Sequence, residues 1–85
     1  MPVIHVDILE GRTIAQKRAY IKALTEVSVK HLGCRPENVA VVLADMPFEH
    51  YGRGGFTKLE ELEQEGITVA EYHAREAKKA ADSQK

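Results

Sequence analysis

Residues 3–9, Val-Ile-His-Val-Asp-Ile-Leu, carry apolar side chains at each even position, Ile4, Val6 and Ile8. The odd positions mix Val3 and Leu9 with His5 and Asp7. β-Branched residues at a period of two predict a strand, which Glu10-Gly11-Arg12 ends. Thr13-Ile14-Ala15-Gln16 then has the form of a capping box, in which the Thr hydroxyl and the Gln side chain satisfy orphan amides. Tyr20, Ile21, Leu24, Val27, His31 and Leu32 follow at helical spacing, and Gly33 stands where a C-terminal cap is expected. The predicted helix is about 19 residues, or roughly 28 Å long.

Arg35-Pro36-Glu37-Asn38 cannot continue that helix. Val39 to Ala44 is a second strand, apolar on both faces. Strand, long helix and strand predict a right-handed β-α-β unit with parallel strands. One helix covers one face of a strand pair, and two strands alone are marginal in water. The other face, either Val42 with Ala40 and Ala44 or their opposite set, must therefore meet something else. A partner subunit is the simplest occupant. From Asp45 to Tyr51 the pattern becomes irregular and leads into Gly52-Arg53-Gly54-Gly55. Thr57-x-x-Glu60 and Thr68-x-x-Glu71 are two further capping boxes. They predict a short helix over about 58–65, stopped by Gly66, and another over about 69–81. Val69, Tyr72 and several alanines give this last helix a thin apolar stripe, and Asp82 to Lys85 are expected to fray. The predicted class is α/β (α+β): a β-α-β core with a C-terminal helical extension.

At 85 residues the chain is read as one domain, 1–85, with residues 2–55 as core and glycine segment and 56–85 as extension. A core of this size stabilises a fold only marginally without disulfides, metals or oligomerisation. Cys34 is the only cysteine, and no Cys/His spacing suggests zinc. Oligomerisation is the remedy left. Twelve basic and 13 acidic residues give a formal net charge of −1, without the basic footprint of a nucleic-acid binder. No apolar run approaches the roughly 20 residues of a membrane span, and the first residues do not form a secretory signal. A cytoplasmic location is expected, and neither a cofactor nor a metal is.

Pro2 is the residue with the most distinctive chemistry. Removal of Met1 would expose a secondary amine, and burial or a neighbouring guanidinium lowers the pKa of such a group. Arg12 could supply that charge. A neutral amine fixed at the edge of a sheet can act as a general base. If Met1 stays, the nitrogen is an amide and has no such role.

Met1-Pro-Val-Ile-His-Val-Asp-Ile-Leu-Glu-Gly-Arg-Thr13, followed by Gln16-Lys17, resembles the start of the 4-oxalocrotonate tautomerase family in the tautomerase superfamily. Met46 and His50-Tyr51-Gly52-x-Gly54-Gly55 resemble that family's aromatic-glycine segment. The resemblance implies a β-α-β protomer whose sheet is completed by dimerisation, with dimers or hexamers (trimers of dimers) as homo-oligomers. It implies an isomerase that moves a proton between enol and keto forms of small 2-oxo acids without a cofactor. Pro2 would be the general base and Arg12 the carboxylate anchor, a task that suits a bidentate guanidinium. Tyr51 falls where the family places an aromatic residue beside the proline. A second family arginine, which polarises the oxo group, is replaced by Ala40. Arg53 is the candidate substitute, and a monocarboxylate such as phenylenolpyruvate suits this set better than a dicarboxylate. Asn38 is a further candidate contact to substrate, although a turn explains it equally well. Alternatives are a hydratase or dehalogenase of unsaturated acids using the same proline, and a non-catalytic oligomeric ligand-binding protein. His5, His31, His50 and His73 are read as structural or exposed, and Cys34 as unreactive.

Overall fold

The computed structural model describes residues 1–83. In chain order it contains β1 (Val3–Leu9), α1 (Ile14–Leu32), β2 (Ala40–Met46), β3 (Gly52–Arg53), β4 (Phe56–Thr57), α2 (Lys58–Glu65) and α3 (Val69–Ser83). Single 3₁₀ turns at Pro36–Asn38 and Phe48–His50 flank β2. β1 and β2 form a parallel two-stranded sheet joined through α1, the expected β-α-β unit. The chain divides into two compact units, one of Met1–Ile8 with Arg12–Asp45, the other of Leu9–Gly11 with Met46 and the residues after it.

In the first unit, α1 begins at the predicted capping box. The Gln16 amide donates to Thr13 Oγ1 at 3.1 Å and the Thr13 amide to Gln16 Oε1 at 2.8 Å. Gly33 closes the helix with its amide on the Val29 carbonyl, 3.1 Å away. The stripe that α1 shelters is not the one its apolar spacing predicts. Lys17, Ile21, Leu24, Thr25, Ser28 and Val29 are half-buried or buried, whereas Tyr20, Val27, His31 and Leu32 stay exposed. Lys17 holds a sheltered position because its aliphatic stem packs while its ammonium reaches Asp45.

The sheet resolves the choice of faces. Ile4, Val6 and Ile8 of β1 and Val41 and Leu43 of β2 are half-buried. Ile8 and Leu43 also share a cavity with the α1 residues Gln16, Lys17 and Tyr20. The opposite face, with Val3, His5, Asp7, Ala40 and Val42, is exposed; Val3 retains 66% and Val42 46% of their accessible surface. β2 starts and ends later than the predicted 39–44, because Pro36–Asn38 forms a 3₁₀ turn and Val39 closes it by donating to the Pro36 carbonyl at 3.1 Å.

In the second unit, the glycine segment after the Phe48–His50 turn forms a short hairpin. Gly52–Arg53 pairs antiparallel with Phe56–Thr57, in the register Gly52 to Thr57 and Arg53 to Phe56. The two-residue loop is Gly54-Gly55, with φ of +66° and +88°. Positive φ at both loop positions is what a type I′ hairpin requires, and glycine meets it without steric cost. α2 and α3 begin at the predicted capping boxes: the Glu60 amide lies 3.1 Å from Thr57 Oγ1, and the Glu71 amide 3.1 Å from Thr68 Oγ1. Phe48 and Leu62, each 1% exposed, are the fully buried large apolar side chains among the described residues. Phe48 meets Tyr72 and His73 edge-on, at centroid distances of 5.6 and 5.7 Å. The sheltered stripe of α3 is Val69, Tyr72, His73 and Glu76; its alanines through Ala81 are exposed. The helix runs through Ser83, so Asp82 and Ser83 are helical where fraying was expected, and Gln84 and Lys85 lie outside the described residues.

Candidate functional site

Pro2 immediately precedes β1 and is half-buried. Its carbonyl accepts the Ala40 amide at 3.0 Å, which ties the first residues of β1 to the first residue of β2. The position where a second arginine was sought is thus the residue hydrogen-bonded to Pro2, and it carries only a methyl group. Asn38 is half-buried in the 3₁₀ turn that delivers the chain to Ala40, its amide donating to the Arg35 carbonyl at 3.0 Å. Pro2, Asn38 and Ala40 therefore belong to one end of the parallel pair.

Arg12 belongs to the other end. It lies beyond the last residue of β1 and lines a cavity of about 370 Å³ with Ile8, Gln16, Lys17, Tyr20 and Leu43. Two apolar walls, two cationic side chains, an amide and a phenol suit a small carboxylate with an apolar body. Pro2 is not part of that lining. Six residue steps of extended strand, roughly 20 Å, separate the two ends of β1. The guanidinium of Arg12 is accordingly not beside the Pro2 nitrogen of its own chain. A larger cavity of about 560 Å³ on the far flank of α1 is lined by Lys22, Thr25, Glu26, Val29, Lys30 and Pro36, and none of these is a predicted site residue.

Tyr51 and Arg53 belong to the second unit. Tyr51 retains 38% exposure, and its carbonyl accepts the Lys58 amide at 2.8 Å, which fixes the backbone at the foot of the hairpin. Arg53 is exposed on β3, opposite Phe56. The five predicted site residues thus occupy three places: the Pro2 end of the sheet, the Arg12 cavity and the glycine hairpin. Among the described residues, no three His, Cys, Asp or Glu side chains converge as metal ligands. No helix among them is long and apolar enough to cross a membrane. Lys17, Tyr20 and Gln16 escaped the sequence reading as cavity residues. Their i, i+1 and i+4 spacing along the first turns of α1, just after Arg12, is the signal that was available.

The β-α-β fold is that of a class of small enzymes, the tautomerases, and comparison with known proteins assigns the chain to it. The family model of tautomerase enzymes matches residues 2–58. A probable tautomerase of Ralstonia nicotianae is 41% identical over 58 residues, 68% of this chain and 83% of that protein. A probable tautomerase of Listeria monocytogenes is 43% identical over 58 residues, covering 68% and 95%. Among solved structures, a 4-oxalocrotonate tautomerase isozyme of Methylibium petroleiphilum superposes with a TM-score of 0.72 at 35% identity, over 74% of this chain and 98% of that one. A heterohexameric 4-oxalocrotonate tautomerase of Chloroflexus aurantiacus superposes with a TM-score of 0.67 at 25% identity, over 71% and 97%. This chain belongs to the tautomerase family and is 4-oxalocrotonate tautomerase-like. The family match ends at residue 58, so most of α2 and all of α3 lie outside it.

Proposed function

We infer that the protein, once Met1 is removed, is a cofactor-independent tautomerase that ketonises enols of small 2-oxo monocarboxylates, with Pro2 as general base. The observation that carries this reading is the family match beginning at Pro2, on a chain whose Pro2 carbonyl is anchored 3.0 Å from the Ala40 amide. A base held rigidly by the backbone of a sheet is positioned without entropic cost at the moment of reaction. The prolyl nitrogen takes the enol hydroxyl proton and returns it to the adjacent carbon. The carbon–carbon double bond becomes single as the carbonyl forms, so the product is an isomer of the substrate.

Arg12 anchors the substrate carboxylate through paired N–H donors. Because roughly 20 Å of strand separates it from Pro2, the Arg12 that serves a given Pro2 comes from another copy of the chain. The exposed face of Val3, Ala40 and Val42 supports assembly of that kind. Tyr51 supplies an aromatic wall, Asn38 a contact to substrate, and Arg53 polarises the oxo group in place of the absent second arginine. Residues 1–85 act as one catalytic domain. Ala40 also favours a second reading, hydration or dehalogenation of an unsaturated acid by a cationic proline, since the alanine offers no donor to a developing enolate oxygen.

Ultraviolet absorbance of phenylenolpyruvate and 2-hydroxymuconate, followed with mass-verified Met-free protein and its Pro2→Ala variant, tests the reading. The expected result is ketonisation well above buffer that collapses in Pro2→Ala, with phenylenolpyruvate preferred. Equal rates from the two proteins would overturn the role of Pro2. No rate from either would transfer the case to hydration.

A further inference from the structure

We propose that His73, on the C-terminal helix outside the family match, is a positioning residue that clamps the Glu10-Gly11 turn and thereby sets the direction in which Arg12 leaves β1. The inference deepens the proposed function and rests on its assignment of Arg12 as the carboxylate anchor.

Gly11 has φ of +114°, and a Cβ added there would lie 2.4 Å from His73 Nε2, so the imidazole fills the space that a side chain would need. The same Nε2 donates to the Glu10 carbonyl. Since a carbonyl can only accept, this nitrogen carries its proton. The turn is held from its other side by the Glu10 amide on the Met46 carbonyl at 2.9 Å. His73 is itself fixed: its ring meets Phe48 at 5.7 Å and Tyr72 at 5.4 Å, both edge-on. Tyr72 in turn has the Lys58 ammonium 4.9 Å and the Arg75 guanidinium 5.7 Å from its ring centroid. Arg75 bonds Glu65 on α2 at 3.0 Å. A glycine at positive φ is the most pliable link in the backbone, and it directly precedes the residue whose aim matters most. The extension removes that pliability from outside, and a loosened anchor weakens carboxylate binding more than it slows the proton transfer.

The test compares wild type with His73→Phe, which keeps a ring and loses the donor, and with His73→Gln, which restores an N–H. His73→Leu replaces the phenylalanine variant if that protein melts below assay temperature. NMR titration of 3-phenylpropanoate reads binding without turnover, and phenylenolpyruvate kinetics separate KM from kcat. His73→Phe is expected to raise both Kd and KM roughly three- to tenfold, the loss of one hydrogen bond and the order it imposes, with kcat within about twofold. His73→Gln should return both constants towards wild type. In an Arg12→Ala background the His73→Phe change should add less than about twofold, because the two residues act in series. An unchanged Kd in His73→Phe, its full effect persisting without Arg12, or an Arg12→Ala protein that binds as tightly as wild type would each overturn the proposal. Absence of Pro2-dependent turnover, with the binding pattern intact, would remove the tautomerase reading and leave this one standing.

Discussion

Two impaired variants, Pro2→Ala and Arg12→Ala, should complement each other once their subunits mix. If each active site takes Pro2 from one chain and Arg12 from another, Pro2→Ala and Arg12→Ala proteins carry complementary defects. The distance argument is firm on this point: β1 spans Val3–Leu9, and its roughly 20 Å cannot be bridged by one arginine side chain folding back along its own strand. Loss of a charge-assisted, paired contact to the carboxylate costs about 1.5–3 kcal/mol or more, so Arg12→Ala alone should fall at least tenfold in kcat/KM. Pro2→Ala lacks the base altogether. When equal amounts are unfolded, mixed and reassembled at random, half of the sites hold an intact proline, and half of those face an intact arginine. Activity should therefore recover to about one quarter of wild type per chain, in a dimer or in any larger closed ring. The assay is phenylenolpyruvate ketonisation well below KM, with mass spectrometry of the intact assembly confirming that subunits have exchanged. Mixed assemblies that stay at the level of their parents would refute the composite site.

Three further outcomes follow from particular residues. Phe48→Ala empties a position that is 1% exposed and removes its edge-on contacts with Tyr72 and His73; a loss of about 3–5 kcal/mol, read as a melting temperature lower by at least about 12 °C, is expected in calorimetry. Val42→Lys places an ammonium in the middle of the exposed sheet face; on the proposed assembly through that face it should sediment as smaller species than wild type, because an unpaired buried charge is costly. Ala40→Arg adds a guanidinium at the residue bonded to Pro2 and should raise kcat/KM for 2-hydroxymuconate relative to phenylenolpyruvate by about tenfold or more, as one added donor to a developing oxyanion can.

Local chemistry was the legible part of this chain. The capping boxes at Thr13, Thr57 and Thr68 set three helix starts, because an N-cap is decided within four residues. The alternation in β1 and the family-like Leu9-Glu10-Gly11-Arg12 sequence were equally local. What escaped was decided elsewhere in the fold. The glycine hairpin has only two residues per strand, too few to show a period, and its identity lies in the φ angles of Gly54 and Gly55. The α1 stripe was misplaced because Tyr20 and Val27 form an overlapping apolar row with Ile21 and Leu24, and only the sheet decides which row is sheltered. His73 was read only as structural or exposed, without its partners. Its partner carbonyl lies 63 positions away in sequence, where no spacing rule reaches.

The exposed sheet face and the separation of Pro2 from Arg12 make the same demand. Val3, Ala40 and Val42 are left exposed, and on the proposed mechanism Pro2 needs a guanidinium that its own strand holds at the far end. On that mechanism another copy of the chain supplies both the cover and the guanidinium, through one interface or through two. Stability and catalysis are then linked by mass action: a change that loosens the face lowers activity through assembly even when every site residue is intact. Val42→Lys separates this from a monomeric site. Its activity should fall in step with dissociation and return when high protein concentration restores the assembly. A dissociated Val42→Lys protein with wild-type turnover would mean that Pro2 works without a partner's Arg12, and the assignment of Arg12 as carboxylate anchor would fall with it.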